Sequence, residues 1–236
     1  MTLVQFDTQA IAPTQILPLL TSYRMLPQLR REMIVDAAIA TIELTADEQA
    51  NALEQFTTQH QLTTLDQLQA WLKYYEMTSK QIAAMATREL KIQKFKQITW
   101  ESRIESYFLK HKSKLDKAIY SLLRTTDAGL AQELYFRIQT GEQSFNELAR
   151  EYSQGSEAET GGLLGPIELG LLHPNLAQLL SISKSGQLWS PMRLDHWITI
   201  VRLEKFIPAQ LDEQMRQQLL DRMFEAWLSQ TNSSRS

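Results

Sequence analysis

The sequence predicts an α+β protein: a long helical half, followed by a half in which short strands alternate with short helices. Three observations lead there. The first 128 residues contain no glycine, and their prolines stand only at 13, 18 and 27, so little interrupts helices. Capping-box patterns mark fresh helix starts at Thr45 with Glu48, Thr64 with Gln67 and Thr78 with Gln81. All eight glycines lie from residue 129 onward, three of them within TGGLLGP, residues 160–166.

The helical half is expected over residues 1–115. From Leu26, apolar residues recur at Leu29, Met33, Ala37 and Ala40 with helical period. Helical runs follow each capping box, and in the last of them Ile82, Met85, Leu90 and Phe95 can form one stripe. A further helix is expected from Glu101 to Lys112. Residues 118–124, AIYSLLR, read as a strand stopped by the breakers TTD. DAGLAQELYFRIQTG reads as a helix carrying Leu130, Leu134, Phe136 and Ile138 and ended by Gly141. SFNELAREYS is a shorter helix. GQLWSPMRL and HWITIVRLE read as two strands joined by a tight turn near Asp195. Alternation then puts Ile198, Ile200 and Arg202 on one face, and Trp197, Thr199, Val201 and Leu203 on the other. Residues 211–228 return to helical period, with Met215, Leu219, Met223 and Trp227 as the stripe. A lone helix of this length is marginal in water, so it needs a partner, and the helical half is the obvious one. Residues 229–236 are expected to be a disordered tail.

Composition narrows the function classes. The chain is 43% hydrophobic and 22% charged, as ordinary globular proteins are. A net charge of -3, with no basic stripe, argues against nucleic-acid binding. Without cysteine there is no disulfide or thiolate chemistry. No apolar run reaches 18 residues, so no membrane insertion is expected, and the N-terminus does not read as a signal peptide. The expected compartment is the cytoplasm. His60 and His111 lack a second ligand at helical spacing, so no metal or other cofactor is expected. A phosphate cradle at TGGLLGP would need a neighbouring Gly-Lys-Ser/Thr, which is absent.

The order of motifs in the second half resembles the parvulin-type (PpiC-like) peptidyl-prolyl isomerase domain. The residues that carry it are Gly141, Phe145, Leu148, Ala149, Tyr152, Ser153, Gly161, Gly162, Leu164, Gly165, Gly186 and Pro191. The helical part, with RREMIVDAAIA, LTADEQ and the C-terminal helix, is similar to the SurA-like chaperone domain. The resemblance implies a small antiparallel sheet flanked by helices over 116–207, and a helical domain over 1–115 completed by 211–228. It implies that Gly161, Gly162 and Gly165 turn the chain into the sheet beside the substrate groove.

It also implies an activity, isomerisation of prolyl bonds in unfolded or extended peptides, and a set of positions. The first-strand histidine of the family falls at Ser121, the loop Asp or Cys at Gly155, the last-strand histidine at Ile198, and the Asp of the GG-D-LG turn at Leu163. All four depart from the family pattern, so the polar site reads as degenerate and no catalytic residue is assigned. The apolar groove falls on Ile167, Leu172, Leu176, Met192 and Leu194. His196 is expected to face solvent in its turn, His173 to serve a turn before Pro174, and Trp189 and Trp197 to pack on the sheet. Two functions compete: a foldase that accelerates prolyl isomerisation, and a non-catalytic peptide-binding chaperone or export escort using the same groove. Partners implied by the resemblance are unfolded or proline-containing polypeptides and peptide-secretion machinery.

Overall fold

The computed structural model describes residues 4–6 and 9–233. The chain divides into two compact units, Met1–Ile104 with Arg216–Ser236, and Glu105–Met215.

The first unit opens with a small antiparallel pair, β1 (Val4–Phe6) and β2 (Gln9–Ile11), where helix was expected throughout. Helices α1 (Pro13–Ser22), α2 (Leu26–Ile39), α3 (Ala46–Gln59), α4 (Leu65–Tyr74) and α5 (Ser79–Trp100) follow. All three capping boxes form. At α3, Glu48 N–H donates to Thr45 Oγ1 at 3.2 Å and Thr45 N–H to Glu48 Oε2 at 2.9 Å. Each cap contributes about 1 kcal/mol by satisfying N–H groups that a helix end leaves free.

The buried faces differ from the expected stripes. Helix α2 buries Ile34, Val35 and Ile39, while Met33 is 61% exposed. Helix α5 buries Ile82, Ile92, Lys96 and Trp100, with Met85 left exposed and Leu90 and Phe95 half-buried. Period fixes that a helix forms, but its neighbours choose which side is covered, and α5 packs against both α2 and α3.

The C-terminal helix α10 (Glu213–Ser233) completes this unit. It buries Leu219, Leu220, Phe224 and Leu228, with Met223 and Trp227 only half-buried. Phe224 meets Phe95 and Trp100 edge-on, both at 6.2 Å between centroids. Lys96 lies beside the Phe224 ring and binds Asp221 Oδ1 at 2.7 Å. Arg31 holds Glu225 through its two terminal guanidinium nitrogens, at 2.6 and 2.9 Å. The helix continues past residue 228, where a tail was expected. Ser229 and Thr231 bond back to the Glu225 and Trp227 carbonyls, so these hydroxyls fit the helix without breaking it. Residues 234–236 of the expected tail lie outside the described residues.

The second unit contains α6 (Ile104–Leu115, with Ile104 assigned to the first unit) and the sheet. Strands β3 (Lys117–Thr125), β4 (Leu163–Glu168), β5 (Leu188–Leu194) and β6 (Trp197–Ile207) lie in the order β4-β3-β6-β5, every pair antiparallel. Helices α7 (Ala128–Thr140) and α8 (Phe145–Tyr152) cover one face, and α9 (Pro174–Ile182) covers the other. Asp127 caps α7 and Gly141, at φ 74°, ends it. Phe136 of the expected α7 stripe is 52% exposed, because Ala131 and Leu134 take the inward side.

The glycines of TGGLLGP bring β4 against β3. Gly162, at φ 84°, would carry its Cβ to 2.9 Å from the Leu122 carbonyl oxygen, and a Cβ on Gly165, at φ 110°, would collide with the Ala118 carbonyl. Only a residue without a side chain lets the two backbones approach this closely.

Two predictions follow from how α10 is held. Leu219→Ala removes a fully buried side chain and is expected to destabilise the helical unit by about 2–5 kcal/mol, read by urea unfolding. Arg31 hydrogen-bonds Glu225 and so holds its carboxyl below the usual carboxylate range. The pair's stability is therefore present above the ordinary carboxylate pKa and lost as pH falls through the lowered one. Glu225→Gln should cost at most about 1 kcal/mol at pH 7, since the pair is solvent-screened, and should flatten that part of the acid limb in thermal melts taken from pH 7 to 3.

Candidate functional site

The two sheet faces carry different chemistry. On the α7–α8 face, Leu123 and Ile200 pack with Leu134, Phe145, Leu148 and Ala149. On the α9 face, Ala118, Tyr120 and Leu122 of β3, Val201 and Leu203 of β6 and Leu194 of β5 pack with Leu169, Leu176, Leu179 and Leu180. Around this buried floor stand partly exposed apolar residues: Leu164, Ile167, Leu172, Trp189, Met192 and Phe206. Buried floor and half-exposed rim together make this apolar cluster the candidate groove face.

Ile167, Leu172, Leu176, Met192 and Leu194 all belong to this one cluster. Leu176 and Leu194 lie in its floor, 5% and 7% exposed, while Ile167, Leu172 and Met192 stand on its rim. The polar positions divide differently. Strand alternation places Ser121 on the α7–α8 face with Leu123, and its hydroxyl donates to Glu204 Oε1 at 2.5 Å. Glu204 in turn accepts from Arg202, whose guanidinium covers the Phe145 ring. Ile198 alternates with Ile200 and shares that face. On the groove face the neighbouring positions are Tyr120 on β3 and Trp197 on β6.

Gly155 lies at the end of the groove face, and the reason for a glycine there is plain. A Cβ at this position would strike the Arg124 guanidinium and the Glu157 carboxylate. Those two groups form a bidentate pair at 2.6 and 3.0 Å, with the Glu157 side chain 1% exposed. Ser153 Oγ adds a third hydrogen bond to Glu157, at 2.5 Å. Arg124 also lies over the Trp197 ring, 5.5 Å from its centroid. The charged pair occupies the space that a loop side chain at 155 would take.

The histidines fall outside the floor. His173 caps α9, accepting from Asn175 N–H at 3.2 Å, with Nε2 3.7 Å from Asp195 Oδ1 at the β5–β6 turn. His196 is exposed in that turn and leans on Trp197. His60 meets Phe56 at a tilt and Trp71 edge-on, and His111 stacks on Tyr107. Trp189 donates its indole N–H to Ser183 Oγ at 2.8 Å and packs against the cluster. Tyr120, Arg124 and Glu157 escaped the sequence reading of the site, and Trp197 was expected there only to pack on the sheet. Period-2 alternation along 118–124, anchored on the apolar Leu122, is the signal that finds the first two.

The fold and this cluster define an α+β domain with a partly exposed apolar face, and comparison with known proteins shows what it resembles. Residues 110–205 match the family model for the rotamase, PPIC-type PPIASE domain. The chaperone SurA of Pseudomonas aeruginosa is 34% identical over 111 residues, 43% of this chain and 26% of that protein. The chaperone SurA of Ralstonia nicotianae is 29% identical over 99 residues, 38% of this chain and 20% of that protein. The matched segments thus span about a quarter or less of those relatives. The crystal structure of the peptidylprolyl isomerase PrsA from Bacillus cereus shares the fold, with a TM-score of 0.52, 18% identity and coverage of 99% of this chain and 91% of that one. Residues 110–205 are thus similar to the parvulin-type peptidyl-prolyl isomerase domain, and the chain shares its overall fold with PrsA. No described helix is long and apolar enough to cross a membrane.

The Arg124–Glu157 pair yields a prediction. Arg124→Met leaves Glu157 buried without its cation and is expected to cost about 3–5 kcal/mol in chemical denaturation. Replacing both residues by methionine should recover a large part of that loss, because the charge left stranded in the single variant is gone.

Proposed function

We propose that the PPIC-type domain binds extended, proline-containing segments of unfolded polypeptides on the groove face and accelerates cis–trans exchange of their prolyl bonds. The observation that carries this reading is the convergence of Ile167, Leu172, Leu176, Met192 and Leu194 on one partly open apolar cluster. A prolyl bond isomerises by loss of amide resonance, against a barrier of roughly 18–20 kcal/mol for an ordinary amide and with no bond made or broken. An apolar face that takes the proline ring and strips water from the imide carbonyl favours the twisted state over the planar one. Burying one apolar side chain contributes roughly 1.5–3 kcal/mol, enough for weak and promiscuous capture.

A second reading is a non-catalytic holder using the same face. It is favoured by the residues at the family's polar positions, Ser121, Gly155 and Ile198, none of which brings an imidazole or carboxylate to the groove. An open cleft of about 710 Å³ between α3 and α5, bordered by Phe56, Met85 and Leu90, would give a holder a second contact surface in the helical unit.

Prolyl exchange measured by NMR on short Xaa-Pro peptides, with binding read in the same titration, separates the two. Faster exchange that is lost in Leu172→Asp is the expected result. Binding shifts with unchanged exchange would leave only the holder.

A further inference from the structure

Tyr120 sits at the centre of the groove floor. Its Cα partners are Leu203 on β6 and Leu164 on β4, and it is flanked along β3 by Ala118 and Leu122. It is 3% exposed. Buried phenols almost always find a hydrogen-bond partner, because an unpaired buried hydroxyl costs free energy. The Tyr120 hydroxyl is hydrogen-bonded to no described residue. Yet Arg137 Nε, elsewhere in the unit, is the sole described side-chain polar atom fully sealed without a partner, so the Tyr120 oxygen keeps an opening.

Apart from Arg124 Nη1 at the groove end, the other polar groups named on this face are committed to the protein itself. Thr199 donates its hydroxyl to the Met192 carbonyl at 3.2 Å. Trp189 donates to Ser183. Arg124 spends Nε and Nη2 on Glu157. That leaves the Tyr120 hydroxyl as the donor of the floor, set in apolar surroundings where a hydrogen bond is stronger than in water.

We propose that Tyr120 is a catalytic residue of this groove, its phenolic O–H donating a hydrogen bond to the imide group of the bound prolyl bond. The chemistry of the ligand fits. Proline has no backbone N–H, so its imide offers acceptors alone, and a residue that recognises it must donate. When the bond twists, resonance is lost and the nitrogen lone pair becomes an acceptor that the planar imide lacks. A donor fixed beside it binds the twisted state better than the planar one. Burial pushes the phenol up, and the Glu157 carboxylate pushes it the same way against the opposing pull of Arg124, so the proton stays in place at neutral pH.

This assignment rests on the prolyl reading of the groove, and Tyr120→Phe tests it separately. The variant removes one oxygen that no described residue binds, so its thermal midpoint should stay level or rise. NMR exchange on an Ala-Pro peptide should fall by about tenfold or more in the variant, with peptide affinity changed only slightly. Tyr120→His, which keeps a donor at the site, should restore part of the exchange. Full exchange in Tyr120→Phe overturns the role of Tyr120 and leaves the prolyl function standing. Loss of affinity and thermal stability together also overturns it, since the hydroxyl would then be a packing group. Absence of any acceleration by the unaltered protein sinks both, and is seen before a variant is made.

Discussion

The pairing of β3 with β6 is the constraint on which the small domain depends. Nine residues of β3 lie opposite β6, from Lys117 across Ile207 to Thr125 across Ile198, and β4 and β5 add on either side. A strand has two faces, and a slip of one residue exchanges them. This register sends Tyr120, Leu122 and Arg124 to the groove and Leu123 to the helices. It is also why Ser121 pairs with Glu204 among the α7–α8 contacts rather than facing a ligand. Gly162 and Gly165 serve the same strand from the other side, since β4 reaches β3 only where no Cβ intervenes.

A second layer of control lies at the end of the groove, where Arg124 and Glu157 fill the space above Gly155. The pair is buried on the Glu157 side and reinforced by Ser153, so both charges are compensated where they stand. Its net charge is zero, so it adds no net charge to the end of this face. What this face presents is apolar area, the Tyr120 hydroxyl in its floor and the Arg124 guanidinium at its end.

The helical unit is organised around the return of the chain. Helix α10 brings Leu219, Leu220, Phe224 and Leu228 to a unit whose own helices expose much apolar surface, including Leu17, Met33 and Tyr74. Lys96 shows how tightly the fit is specified. Its ammonium is almost buried, and it is tolerated there because Asp221 and the Phe224 ring both come from α10.

Much of this was legible in the residues alone. Capping boxes at Thr45, Thr64 and Thr78 announce helices because hydroxyl and carboxamide or carboxylate groups at that spacing satisfy local N–H donors, wherever the helix later packs. The α+β class and the turn at Asp195 followed from period and turn residues, which are local properties, whereas the apolar set from Ile167 to Leu194 was what the resemblance to the parvulin-type domain implied. What the sequence could not decide was side. The buried faces of α2 and α5 depended on which helices came to lie against them. The faces taken by Ser121 and Ile198 depended on a register with β3 and β6 partners more than 70 residues apart in the chain. Tertiary packing decided that Tyr120 and Trp197 look into the groove, because a strand's alternation is intrinsic but its orientation is chosen by the layer that covers it.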